Sequence, residues 1–163
     1  MTPRARFLAT FEHESAITLK VLRAYPKDQT SLRPHERSNS AIALAWTFVI
    51  EQRLLHDSIR GEKLFGGTGA PQPPATWDEV IEAYEKGYNE VVADLRDPKN
   101  PNLEGSVHFF VGPKQPGEIP LSQFVWFMLH DQIHHRGQLS VYLRLAGGKV
   151  PSIYGPSADE PWR

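Results

Sequence analysis

Four stretches of the chain repeat apolar residues with the 3.6-residue period of an α-helix, and segments rich in proline and glycine separate them. Each stretch is about twenty residues long and carries one apolar stripe, which it can bury only against other elements. The pattern predicts an all-α fold, a four-helix bundle with long crossover loops and an irregular C-terminal tail. The predicted helices run from Arg4 to Ala24, from Ser38 or Ser40 to Gly61, from the Thr76 cap to Pro98, and from Pro120 to Gly147.

The segments between the helices predict loops of two kinds. Three glycines and three prolines fall within residues 66–76, and this density excludes a helix there. The segment between the third and fourth helices is irregular, but its SVHFFV run, which starts at Ser106, could form a short extended segment or part of a hairpin. A chain of 163 residues is long enough for one ordinary domain, so residues 1–163 are expected to form a single domain.

Charge and cysteine content exclude several classes of function. Eighteen Lys and Arg residues balance nineteen Asp and Glu residues, so the chain lacks the basic excess that favours nucleic-acid binding. The chain has no cysteine, which excludes disulfides, thiolate metal sites and a nucleophilic thiol of the protein's own. No apolar run is long enough for a membrane span or a signal peptide. We therefore expect a soluble, cytoplasmic protein that binds neither nucleic acid nor membrane.

The densest group of polar residues is HDQIHHRGQ, which starts at His130 inside the fourth predicted helix. On a helical wheel Asp131 and His135 lie within the apolar stripe, one turn apart, whereas His130 and His134 lie toward its flank. A carboxylate buried in an apolar stripe is costly unless it is paired or bound to a metal ion. Asp131 and His135 are therefore the favoured pair of metal ligands.

The second predicted helix carries a matching pair of polar residues. The only polar residues at the middle of its apolar stripe are Thr47 and Glu51, which again lie one turn apart. Facing helices commonly build metal sites inside bundles, so we expect Glu51 to join Asp131 and His135. One imidazole and two carboxylates suit a divalent ion such as Zn²⁺, Mn²⁺, Fe²⁺ or Ni²⁺. His56 falls on the opposite side of this helix and is expected to face solvent.

Two other interpretations of these residues stay open at this point. Glu51 and His135 could form a hydrogen-bonded core pair that binds no metal. Alternatively, HDQIH is similar to the HExxH helix of zinc proteases with Asp in place of Glu. In that interpretation His130 and His134 would be the ligands and Asp131 the base.

Two residues are candidates for contact with a cofactor or a substrate. Arg136, which follows His135 directly, could bind a carboxylate of a small molecule. Thr47 could donate a hydrogen bond to a bound water or to a cofactor.

Two segments resemble the DinB-like superfamily. The first is HHRGQLSVYLRLAGGKVPSIYGPSADE, which starts at His134 and resembles the C-terminal helix and tail of that family. The second is SAIALAWTFVIEQRLL, which starts at Ser40 and resembles its second helix. The resemblance implies a four-helix bundle, often homodimeric, with a divalent metal usually held by three histidines. Some relatives are transferases or isomerases that activate a low-molecular-weight thiol, such as bacillithiol, mycothiol or glutathione, on that metal.

Carried over residue by residue, the resemblance places the last metal ligand of the family at His135. The other two ligand positions hold Asp131 and Thr47, where the family has histidine, and Glu51 matches an acidic position one turn further on. The resemblance thus implies a metal-dependent transferase or isomerase that acts on a small-molecule substrate with a thiol cofactor. The alternative is a non-catalytic, dimeric or ligand-binding bundle whose metal site has become a hydrogen-bonded network.

Overall fold

Four helices form most of the chain in the computed structural model, which describes residues 1–163. None of the helices is long and apolar enough to cross a lipid bilayer. Residues 146–163 form a tail without regular secondary structure. The elements are helix α1 (Pro3–Ala24), helix α2 (Ala41–Arg60), a short 3-10 helix (Leu64–Gly67), helix α3 (Trp77–Arg96), strand β1 (Ser106–Gly112), strand β2 (Gln115–Pro120) and helix α4 (Leu121–Leu145).

The helix ends lie where the sequence places capping residues. The Ser40 hydroxyl accepts a hydrogen bond from the Ala43 N–H at the start of α2, and Gly61 ends that helix at a φ of 70°. Thr76 and Glu79 form the reciprocal capping box that their spacing predicts at the start of α3. The predicted helix boundaries are therefore confirmed to within a few residues.

Helix α2 lies between α3 and α4, and α1 lies against the other side of the same two helices. Glu51 meets His135, and the Tyr142 hydroxyl donates to the carbonyl oxygen of Asn39, so α2 and α4 run antiparallel. This pairing brings the middle of α2 to the middle of α4.

Helices α2 and α3 run parallel. Phe48 lies against Tyr84, and His56 lies against Asp94 about two to three turns further along both helices. Because parallel neighbours cannot be joined by a tight turn, residues 61–76 must return along the length of the bundle. The Trp46 indole N–H donates to the Pro71 carbonyl oxygen and holds this crossover against α2.

The four predicted helices are confirmed, but the fold also contains a β-hairpin. The predicted all-α class is therefore incomplete. Strands β1 and β2 pair antiparallel, with Val107 opposite Ile119. Phe109 of β1 packs edge-on against Phe124 of α4, at 5.3 Å between ring centroids. The extended interpretation of SVHFFV is therefore correct. Its partner strand has no such signal, because the sequence QPGEIP contains residues that are rare in strands.

Two apolar clusters form the core of the bundle, one toward each end. The first includes Phe7, Leu55, Val91 and Phe124, and the second includes Leu22, Phe48, Trp77 and Leu139. Along each helix the residues of one cluster give way to those of the other near the middle. Buried polar residues from three of the helices occupy that middle level: Glu14, Ser15, Thr18, Glu51, Gln52, Gln132 and Arg136.

Candidate metal centre

Glu51, Asp131 and His135 meet at the middle of the α2–α4 contact. One potential ligand atom from each of the three residues lies within 4.8 Å of the others. Glu51 Oε1 lies 2.8 Å from His135 Nδ1, and Asp131 Oδ1 lies 3.8 Å from the same nitrogen. The structure therefore brings together the three residues that the two helical wheels select.

This group is buried at one end and open at the other. The exposed fraction of the side chain is 3% for Glu51, 20% for His135 and 37% for Asp131. Glu51 Oε2 is buried and has no hydrogen-bond partner. Because buried carboxylate oxygens are normally paired or bound to a metal, this free oxygen fits a metal ligand.

Burial and hydrogen bonding change the acidity of both partners. Burial raises the pKa of Glu51 to about 7, and the hydrogen bond to His135 opposes that shift only in part. The same hydrogen bond raises the pKa of His135 above its ordinary value. The two side chains therefore form a coupled pair that takes up and releases protons together.

The donor set fits a divalent ion. An imidazole with two carboxylates provides three ligands, and a catalytic zinc site typically uses three protein ligands and leaves a position for water or substrate. Asp131 forms the side of the group that solvent reaches, so an incoming molecule would approach there.

Thr47 and Arg136 occupy different positions relative to this group. Thr47 is half-buried on α2, one turn before Glu51, and its hydroxyl donates to the Ala43 carbonyl oxygen at 3.3 Å. Arg136 follows His135 but points toward α1, so the structure does not bring it to the candidate metal centre.

Arg136 instead forms a buried ion pair that the sequence analysis did not find. Its guanidinium, 1% exposed, lies 2.8 Å from Glu14 Oε2. The hydroxyl of Tyr154, in the C-terminal tail, donates to the same carboxylate oxygen and accepts a hydrogen bond from Arg136. A signal was available, because Glu14 and Thr18 lie one turn apart within the apolar stripe of α1.

The remaining histidines of the motif do not join the candidate metal centre. His130 and His134 are exposed, and no third histidine or carboxylate forms a ligand group with them. The side chain of His134 lies against that of Gln138, at 3.0 Å between the two Nε2 atoms. The geometry therefore gives no support to the protease-like interpretation of HDQIH.

The expectation that His56 faces solvent is wrong. Its side chain is largely buried, and Nδ1 lies 2.6 Å from Asp94 Oδ2. The wheel identified the face opposite Glu51 correctly, but α3 covers that face, and its Asp94 pairs with the imidazole.

Comparison with known proteins places the chain in a family. The sequence model of the DinB family matches residues 1–162. The chain belongs to the DinB family. Its relatives include the uncharacterised protein YrdA of Bacillus subtilis, 24% identical over 155 residues, a match that covers 94% of this chain and 89% of YrdA.

Two solved DinB-like structures share the fold of this DinB-family protein. The DinB-like protein YjoA of Bacillus subtilis superposes with a TM-score of 0.73 at 18% identity, and the match covers 91% of this chain and 97% of that one. A DinB-like protein of Bacillus cereus ATCC 10987 gives a TM-score of 0.72 at 25% identity, with coverage of 91% and 95%. The family that the HRGQ segment and the second helix indicate is thus confirmed.

The acidity of the Glu51–His135 pair predicts how the stability of the protein without metal depends on pH. The folded state raises the pKa of Glu51 from 4.5 to about 7 and also raises the pKa of His135 above 6.5. The resulting stabilisation is full at low pH and is lost as pH rises through the pKa values of the folded state. Urea unfolding between pH 5 and 8 (about the range of these shifts) should show this loss in the wild type. In the Glu51→Gln variant the free energy of unfolding should change less with pH. An equal pH dependence in the two proteins would contradict the raised pKa of Glu51.

The buried pair on the other side of α4 predicts a large effect on stability. Arg136→Met leaves the Glu14 carboxylate buried without a cation, which should lower the free energy of unfolding by about 3–5 kcal/mol. The double variant Glu14→Leu with Arg136→Met should recover most of that loss in urea unfolding. Arg144→Met serves as the matched control, because its ion pair with Asp159 is exposed and should contribute less than about 1 kcal/mol. A cost for Arg136→Met as small as that of the control would show that the pair is not needed.

Proposed function

We propose that Glu51, Asp131 and His135 bind a divalent metal ion and that the protein is a metal-dependent transferase or isomerase that uses a low-molecular-weight thiol. The observation that carries the proposal is the buried, unpaired Oε2 of Glu51 beside an imidazole and a second carboxylate. The zinc, nickel, manganese and iron ions considered above all accept this donor set.

A bound divalent ion would supply one kind of chemistry, which is to lower the pKa of a coordinated thiol or water. The chain has no cysteine, so a reactive sulfur has to come from a small molecule. A proton on His135 Nδ1 or on the Glu51 carboxyl group would have to leave before both side chains can act as ligands. The Thr47 hydroxyl, one turn from Glu51, donates its proton to the Ala43 carbonyl oxygen and so can accept a hydrogen bond from a bound molecule.

One observation favours a second candidate function, a non-catalytic bundle with a hydrogen-bonded core. The 2.8 Å contact between Glu51 Oε1 and His135 Nδ1 satisfies both atoms without a metal ion. In this alternative the protein would dimerise or bind a small ligand, and the polar group would be structural.

Homodimerisation, a small-molecule substrate and a cytoplasmic location form part of the proposal because the family resemblance and the composition imply them. Light scattering coupled to gel filtration measures the oligomeric state directly. A mass near twice 18.4 kDa would support the dimer.

The metal ligands can be tested by substitution. Glu51→Ala and His135→Ala should each weaken zinc binding by more than about 100-fold, because each removes one of three ligands. His130→Ala and His134→Ala are matched controls on the same helix and should leave zinc affinity unchanged. Isothermal titration with untagged protein gives the constants. Loss of binding in the His130 variant, with normal binding in the His135 variant, would contradict the assigned centre.

Thermal unfolding separates the metal-binding protein from the non-catalytic alternative. A ligand specific to the native state stabilises it, and zinc at about 100 times its Kd should raise the Tm of chelator-treated protein by about 5–10 °C. The Glu51→Ala variant should show no such shift. An unchanged Tm in the wild type would favour the hydrogen-bonded core without metal.

A further inference from the structure

A groove between α2 and α4 lies along the same helix–helix contact as the candidate metal centre. Its cavity volume is about 400 Å³, which is within the range of small-molecule sites. The residues that line the groove come from α2, from α4 and from the loop that precedes α2: Pro34, Ser38, Asn39, Leu44, Gln138, Val141 and Tyr142.

The groove continues the contact that holds Glu51 and His135. Gln138 lies three residues after His135, a rise of about 4.5 Å along α4, and Val141 lies about 9 Å along it. On the antiparallel partner, Leu44 lies two turns before Glu51 and Thr47 lies between them. The groove and the candidate metal centre therefore lie along the same α2–α4 contact, about two helical turns apart.

The walls of the groove are uncharged. Leu44, Val141 and the ring of Tyr142 provide an apolar surface, and the Tyr142 hydroxyl is already used in a hydrogen bond to the Asn39 carbonyl oxygen. The side chains of Ser38, Asn39 and Gln138 provide hydroxyl and amide groups. This combination suits a molecule with an apolar part and neutral hydrogen-bonding groups.

A second cavity of comparable size has a different character. It is lined mainly by charged and polar residues near the C-terminal ends of α2 and α3, among them Arg60, Asp94 and Lys99. Because Glu51 and His135 lie at the middle of their helices, that cavity does not continue their contact. The α2–α4 groove is thus the one that combines neutral walls with a position beside the candidate metal centre.

We infer that the α2–α4 groove binds the uncharged, partly apolar body of the substrate while the reactive group of that substrate reaches Glu51, Asp131 and His135. The inference rests on the proposed function, because it assigns the substrate class of the same site. It disfavours molecules that carry a negative charge on the part that enters the groove, since no cationic side chain lines it and the Arg33 guanidinium is engaged with the Ser38 carbonyl oxygen.

The groove itself can be tested without a metal ion. N-benzylacetamide carries an aromatic ring and a neutral amide, and phenylacetate is an anionic molecule of similar shape. In a 15N NMR titration, N-benzylacetamide should shift the backbone amide signals of Ser38, Asn39 and Gln138. Phenylacetate should bind at least about tenfold more weakly, a difference of one decade in Kd.

Two tryptophan variants on α4 distinguish binding in the groove from binding elsewhere on the surface. Val141→Trp fills the groove and should weaken N-benzylacetamide binding about tenfold. Leu145→Trp is the matched control, because Leu145 is also exposed on α4 but does not line the groove. Equal affinities in the two variants, signal shifts confined to other residues, or phenylacetate binding as tight as that of the amide would overturn the inference.

The connection to the candidate metal centre needs a second compound. N-benzyl-2-sulfanylacetamide adds a thiol to the same amide, so one equivalent of zinc should tighten its binding about tenfold and leave that of N-benzylacetamide unchanged. Glu51→Ala should abolish the gain. Absence of the gain in zinc-loaded wild type would overturn the groove as the substrate site. If the protein bound no zinc at all, the proposed function would fail, whereas the amide titration would still decide whether the groove binds a neutral molecule.

Discussion

The structure depends on the burial of one carboxylate, that of Glu51, in the middle of a helix bundle. An ionised carboxylate in an apolar core costs several kcal/mol unless another group compensates it. Here the compensation comes from His135 of the antiparallel neighbour, whose Nδ1 lies 2.8 Å from Glu51 Oε1, whereas the Asp131 carboxylate raises the pKa of Glu51 further. The close approach of α2 and α4 at this level is therefore both a packing contact and the basis of the proposed metal site.

The polar level at the middle of the bundle extends beyond that contact. The Gln132 side-chain oxygen accepts hydrogen bonds from Thr18 and Tyr84, so polar groups of α1, α3 and α4 meet there. On the far side of α4, the ion pair of Arg136 with Glu14 ties the helix to α1. Because Arg136 is adjacent to His135, two successive residues of α4 contact two different helices, α1 and α2. Conformational specificity is the clearest benefit of such a buried pair, since its net contribution to stability is often small.

The sequence was sufficient for features that depend on one element at a time. Capping residues fixed the ends of α2 and α3, and helical periodicity located Glu51 and His135 on faces that had to be buried. These predictions needed only the assumption that apolar stripes face each other. The same argument applied to α1 would have selected Glu14, whose position in the stripe called for a cationic partner.

Features that depend on which element packs where could not be predicted in the same way. His56 is buried because α3, a parallel neighbour reached through a long crossover, covers it with Asp94. The hairpin packs on the bundle because Phe109 contacts Phe124 of α4, the helix that begins directly after β2. In both cases the topology determines which residue becomes the partner, and the sequence around His56 or Phe109 does not predict it.

X-ray absorption at the zinc edge, measured on protein that contains one equivalent of zinc, would identify the ligands of the ion. If Glu51, Asp131 and His135 bind zinc, the coordination shell contains a single imidazole and carboxylate oxygens, and the imidazole contribution disappears in His135→Ala and persists in His130→Ala. A shell with two imidazoles that survives the His135 substitution would instead place the ion at the exposed histidines.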